Sequence, residues 1–426
     1  MKAVSLGSLL ALSGVVLMAC SDASVSGPDN TITVSGTVVD EYLRPQVSVG
    51  VLIEGRPLVL TDANGHFTIS AVRAPYTLVT GLTSERAALI YAGLTRTDPL
   101  VVVPPDPLLP PFRGAYVWGD VYGGTGLPEP ANHRTSVLFE SHETRWPGPA
   151  GVDHYTLQPQ WLGPETTVGT LHALQWQFDP TSGLPVAYKG YGNTPLTLSN
   201  GGYSQGPPVT MAATVPAGSI SGSVAVPDGF AVSARILRAG FETSSARPPA
   251  WMILTDSGGA NSFTYVTPDL PGAMFSLTAR AVAGQAYTEV LRTGIGANAA
   301  AITLSIPAAP VLIAPENGAS GINSRTEYRW SRMTGAVYLL AIFYSGAEIY
   351  IPPPPSYYIF TSDTIASIPD LSPFGLYSYS GTPHVWEVRA WAPFRSLDEI
   401  AAATWFVPQG DGVSAVSAPR QFTVAR

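Results

Sequence analysis

Forty-two glycines and 40 prolines in 426 residues leave little uninterrupted chain for helices. Proline removes a backbone donor, and glycine gives up more conformational freedom in a helix than any other residue. Apolar residues nevertheless make up 45% of the chain, too large a share for disorder. Between the breakers run short β-branched or aromatic stretches, with turn signals roughly every 8–12 residues, the pattern of antiparallel sandwiches. The expected fold class is therefore all-β, built as tandem antiparallel β-sandwich domains. No segment has the periodicity of a three-turn helix, and only Ser396 to Ala402 suits a single helical turn.

The N-terminus has a small charged region, Met1-Lys2, and a mostly apolar stretch from Ala3 to Met18. That is too short to span a bilayer but suits the apolar region of a secretory signal. It ends in Leu17-Met18-Ala19-Cys20, which resembles the lipobox of bacterial lipoproteins. The resemblance implies cleavage before Cys20 by signal peptidase II and acylation of the thiol and the new amine. The alternative is an ordinary secretory signal with an incidental cysteine. On the lipoprotein reading the chain is membrane-attached through its lipid and lies in the bacterial cell envelope. Ser21, in place of aspartate after the cysteine, implies by the same resemblance to Gram-negative lipoproteins an outer-membrane location. Several acyl chains hold a protein far better than one.

Cys20 is the only cysteine. The folded part must then rely on hydrophobic cores rather than disulfides, and a chain of this length can build several. Removing residues 1–19 takes away Lys2 and no acidic residue, so a formal charge of -8 becomes -9. That balance argues against nucleic acid as a partner, which demands clustered Lys and Arg. Ser21 to Asn30 is rich in Ser, Gly, Pro and Asp and reads as a flexible tether.

The expected organisation is a signal peptide at 1–19, a tether at 20–30, and sandwiches at 31–108, 109–217, 218–306 and 307–426. The first opens with the alternating stretch Thr31–Asp40, followed by a strand over Val47 to Ile53. Asp62-Ala63-Asn64-Gly65 then makes a tight turn, with Gly65 supplying positive φ. Asp62 and Asn64 read as turn-formers rather than calcium ligands, since calcium needs several more oxygens. The set V-x-G-x-V-x-D, T-D-A-N-G-x-F and Y-T-L resembles the carboxypeptidase regulatory-like, transthyretin-like sandwich. Its members act mostly as structural or ligand-presenting units and carry no peptidase residues.

Similar openings recur at Gly114–Tyr122 and Gly218–Val224, which suggests a degenerate array of sandwiches. The last unit holds Pro310–Gly318, Tyr328-Arg329-Trp330, Ala336–Leu340, His384–Ala390 and Arg420–Val424. That order resembles a fibronectin type III-like sandwich. Proline-dense connectors at 101–112 and 305–310 favour a rod-like arrangement. The stretch Tyr350–Tyr358, with four consecutive prolines, suits either a docking segment or a rigid loop between strands.

His133, His142, His154 and His172 fall within 40 residues of the second unit, with Glu140 and Glu143. None has the spacing of common zinc sites. His172 alternates with Leu174, Trp176 and Phe178, which favours a buried, hydrogen-bonded histidine. No metal and no cofactor is expected, and no catalytic motif occurs. Trp146, Trp161, Tyr188 and Tyr191 suit sugar stacking and are the candidate ligand-binding residues, while Trp176 reads as core. The expected function is a non-catalytic structural, adhesion or ligand-binding role. Its partners would be an envelope protein, a matrix polymer or a glycan. The alternative is a carbohydrate-binding or metal-dependent hydrolytic protein with its site in residues 114–217.

Overall fold

A computed structural model describes residues 31–425, apart from 42, 83–85, 105–111, 127, 150–153, 213–214, 242–251, 349, 378–379 and 404–409. Cys20, the cleavage site and the tether lie outside the described residues. Among the described residues the chain is all-β, a series of sandwiches with one α-helical turn at Leu397–Ile400 and one 3₁₀ turn at Ser372–Phe374.

In the first unit Thr31–Asp40 is the central strand of a three-stranded sheet. It runs antiparallel to His66–Arg73 and parallel to Leu100–Val103. The facing sheet is formed by Val59–Leu60, Gly50–Ile53, Tyr76–Leu82 and Ala87–Leu94. Val34, Val38, Val51, Phe67, Leu78 and Tyr91 meet between the two sheets. The second strand is shorter than the sequence suggests, because Ser48 takes φ 59° and breaks the extended run before Gly50. In the turn, Asp62 Oδ1 accepts the N–H groups of Asn64 (2.8 Å) and His66 (2.9 Å), while Gly65 has φ 74°. Those bonds hold the Asp62 carboxyl below the usual carboxylate range.

The same connectivity recurs twice. Tyr116–Gly123 lies between antiparallel His154–Leu157 and parallel Tyr203–Gln205 and Val209–Met211. It faces Arg145–Pro149, His133–Ser141, Thr166–Phe178 and Pro185–Ser199. Ala217–Ala225 lies between antiparallel Ser262–Pro268 and parallel Ile302–Ser305. It faces Met252–Ser257, Ala231–Phe241, Ala273–Ala283 and Ala286–Ile295. Each recurring opening thus becomes a strand paired on both sides, which leaves no edge at the most regular segment of its unit. The last unit differs. Leu312–Ala314, Tyr328–Trp330 and Ile365–Ala366 form one sheet, facing Ser356–Thr361, Val337–Tyr344, Pro383–Ala392 and Arg420–Val424. The proline run joins Val337–Tyr344 to Ser356–Thr361, two antiparallel neighbours, and so serves as the loop of a hairpin.

The rod-like expectation fails. Residues 101–103, read as the start of a connector, belong to Leu100–Val103; the rest of it, 105–111, lies outside the described residues. Ile306 and Ala309 of the second connector are buried in hydrophobic cores. Sheet edges decide the arrangement. Ala87–Leu94 of the first unit pairs in parallel with Ser356–Thr361 of the last, from Ala87 opposite Ser356 to Ala92 opposite Thr361. Gly412–Val416 lies between Ala286–Ile295 of the third unit and Pro383–Ala392 of the last. A 14-stranded sheet therefore passes through three units. Unpaired edges leave backbone donors and acceptors to be satisfied elsewhere, and neighbouring units supply them here.

The second unit attaches by a face instead. Leu138, Leu174, Trp176 and Tyr188 join the core cluster of the third unit, and the Tyr188 hydroxyl donates to Val266 O at 3.0 Å. Val137, Phe139, Leu171 and Ala173, on the opposite side of the same sheet, fill the second unit's own core. Leu171 to Trp176 is consequently buried without interruption. Alternation is lost wherever both faces of a sheet are covered.

Candidate functional site

The four aromatic residues singled out for sugar stacking do not form an exposed face. Trp161 is fully buried, and its indole N–H donates to Pro164 O at 2.9 Å. Tyr188 is buried in the contact with the third unit. Trp146 is half-buried against the second unit's core. Tyr191 is half-buried and stacked on Phe241, centroids 5.1 Å apart. Glycine and proline beside Trp146 and Trp161 suggested exposed loops. For Trp161 the loop instead folds over the ring and caps its N–H.

The histidines do not converge either. No group of three or more His, Cys, Asp or Glu placed to hold a metal occurs among the described residues. His142 and His154 are exposed, and His133 Nδ1 lies 2.9 Å from Asn132 Oδ1. His172 is buried, as its alternation predicts, with Nδ1 3.1 Å from the Tyr191 hydroxyl and its ring stacked on Phe241 at 4.1 Å. Its Nε2 lies 3.7 Å from Glu140 Oε2, but Glu140 is engaged by Arg145, whose Nε is 2.7 Å from Oε1. Burial therefore governs the imidazole and pushes its pKa down to about 4. This ion cluster fastens the second unit to Phe241 of the third; its groups are engaged with one another and buried.

A different aromatic group lies on the open side of the second unit. In Tyr116–Gly123, Val117 and Val121 point inward, so Tyr116, Trp118, Asp120 and Tyr122 share the outer side. Tyr203, on the parallel neighbour, sits opposite Tyr116, and Gln205 opposite Trp118. The Tyr116 and Tyr203 rings stack with centroids 4.8 Å apart and planes 15° apart. Trp118 lies 4.8 Å from Tyr203, tilted by 45°. Tyr203 is 72% exposed, and Tyr116 and Trp118 are half-exposed.

Polar side chains flank the rings. On the other neighbouring strand Thr156 stands beside Trp118 and His154 beside Asp120. The Tyr122 hydroxyl donates to Asp120 Oδ2 at 3.0 Å. The support beneath is tightly packed. Tyr155 is buried under the strand with its hydroxyl donating to Pro207 O at 3.0 Å, and any Cβ at Gly119 would strike its ring. Cross-strand aromatic contacts and a filled core hold the rings without help from a ligand. Sequence reasoning missed this face although it had read the strand. The signal was present in Tyr-Val-Trp-Gly-Asp-Val-Tyr, where assigning the valines inward turns every aromatic outward.

No protein-family model matches the chain, and no curated protein sequence does. Among solved structures, the chain is similar to a leucine-rich repeat protein from Bacteroides thetaiotaomicron. The identity is 13% over 45% of this chain and 27% of that one, at a TM-score of 0.16. It is similar to the major pilin subunit BcpA of Bacillus cereus at 8% identity over 65% of this chain and 99% of that one, TM-score 0.13. A streptococcal ancillary pilin gives 8% identity over 65% and 99%, TM-score 0.15. Likeness at this level leaves function to be argued from the chain's own geometry.

Proposed function

We propose that this chain is a lipid-anchored, non-catalytic binding protein of the bacterial cell envelope that holds a polysaccharide strand across the outer face of its second unit. The observation that carries the reading is the Tyr116–Trp118–Tyr203 group, three rings in mutual contact on an uncovered sheet and flanked by Asp120, Gln205, Thr156 and His154. A pyranose ring has an apolar C–H side and a hydroxyl rim. The first suits the electron-rich face of an aromatic ring, and the second suits hydrogen-bonding side chains at its border. A long sugar chain also suits a flat surface better than a pocket.

The anchor rests on the lipobox-like Leu17–Cys20 and the uniqueness of Cys20. The seven-strand connectivity of the first unit supports its transthyretin-like reading, and the sheet order of the last supports the fibronectin type III-like one. Sedimentation with insoluble glycans (cellulose, chitin, peptidoglycan) tests the binding. The protein should pellet with at least one, and Trp118→Ala and Tyr203→Ala should each weaken retention about tenfold while the melting curve stays near that of the parent. Retention unchanged in both variants would sink the assignment of this face. For the anchor, Cys20→Ser should abolish palmitate labelling and release the protein from the membrane fraction.

A further inference from the structure

We propose that the last unit contains a second, separate site, for a small uncharged molecule that carries a hydroxyl on an apolar ring. The site is a cavity of about 510 Å³ next to the Pro383–Ala392 and Arg420–Val424 strands. Its walls are more apolar than polar, with Ile322, Leu371, Leu376, Phe422 and Val424 among the lining residues. Exposed Arg325 and Asp370 also line it and mark the mouth. A space of this size is in the range of small-molecule sites, which combine an apolar lining with a few placed polar groups.

The polar groups are Tyr328 and His384, both fully buried and both lining the cavity. They share Phe422 as a neighbour. The His384 ring stacks on it at 5.5 Å and 11°, and the Tyr328 ring meets it edge-on at 5.9 Å. His384 Nδ1 lies 3.3 Å from Thr382 O, so it carries the proton and donates to that carbonyl. Nε2 is left as an acceptor. Burial keeps the ring neutral by lowering its pKa. Neither His384 Nε2 nor the Tyr328 hydroxyl has a hydrogen-bond partner among the described residues.

Three other buried tyrosines find partners: Tyr155 donates to Pro207 O, Tyr188 to Val266 O and Tyr338 to Met333 O. A buried polar group without a partner is costly, so an acceptor and a hydroxyl left open at one cavity define what would complete them. A ligand hydroxyl can donate to Nε2 and accept from Tyr328. A hydrocarbon offers neither bond. An ammonium group could donate to Nε2 but could not accept from Tyr328. The ring flanking that hydroxyl would pack against Leu371, Leu376 and Phe422.

Phenol and toluene, nearly equal in size, separate these possibilities. In a calorimetric titration of the mature chain, phenol should bind saturably, about tenfold or more tighter than toluene. Tyr328→Phe removes only the hydroxyl and should bring phenol down to the affinity of toluene while leaving toluene unchanged. His384→Phe keeps a ring on Phe422, removes the acceptor and should do the same if Tyr328→Phe does not fold. Absence of saturable phenol binding, equal affinity for the two probes, or a variant that still prefers phenol would each overturn the proposal. Retention on insoluble glycans should be unaffected by either substitution, which keeps this site distinct from the aromatic face.

Discussion

His172 shows how one side chain records the packing around it. It is buried against Phe241 of the third unit, and burial holds it in the neutral form, with a pKa near 4 against 6.5 in an open chain. Unfolding lets it take up a proton whenever the pH lies below the unfolded value. Its contribution is therefore complete above about pH 6.5 and is lost as the pH falls towards 4. Between pH 7 and pH 5 the loss amounts to about 2 kcal/mol. Unfolding free energies from urea titration at the two pH values should differ by that much less in His172→Gln than in the parent; equal differences would show that the group titrates normally. At this scale the sequence was half legible. Alternation placed His172 and Trp176 in the interior, but not the partner, because Phe241 lies 69 positions away in another unit. Trp161 was misjudged because loop composition reports backbone freedom and says nothing of what lies above a ring.

Elements were read more reliably, since a strand or turn is specified by residues next to one another. Thr31–Asp40 has the same bounds in the structure as in the sequence pattern, and the helical turn falls inside Ser396–Ala402. The Asp62–Gly65 turn was legible because each residue has a local task there: a carboxylate to accept two N–H groups, and a glycine for positive φ. Gly65 has a second task that local reading could not reveal. A Cβ at this position would strike the carbonyl oxygen of Val38 in the central strand of the sheet. Gly65→Ala should accordingly cost about 3 kcal/mol, the sum of left-handed strain and a backbone collision. A fall in unfolding free energy, measured by urea titration, of under a third of that would mean the turn rearranges freely. Gly81 plays a similar part between units, where Phe374 of the last unit occupies the space a Cβ would need. Gly81→Val should loosen that contact, seen as faster proteolysis between the first and last units at little change in the strand content measured by circular dichroism.

On the scale of the whole molecule, sequence-neighbour logic gave way to edge-strand logic. Tandem units joined by proline-rich segments suggested a row in chain order, yet the first unit pairs with the last and the last with the third. Nothing in residues 87–94 names residues 356–361 as partner; parallel pairing across such a separation depends on register and edge availability, which the sequence does not display. Besides the strands, Asp398 ties the ends together by accepting the N–H groups of Thr95 (2.9 Å) and Arg96 (3.1 Å). A chain stopped at residue 306 should therefore expose the Ala87–Leu94 edge and self-associate, read as a rise in sedimentation coefficient with concentration. A well-behaved monomer would show that the first unit closes its own edge. The same pairing also sets a timetable. Ribosomes deliver residues 87–94 some 260 positions before the segment that completes them, at roughly 5–20 residues per second. For at least ten seconds or so the oldest part of the chain must wait with an open side, and a holding factor that occupies Ala87–Leu94 in that interval would decide how much of the protein is made correctly.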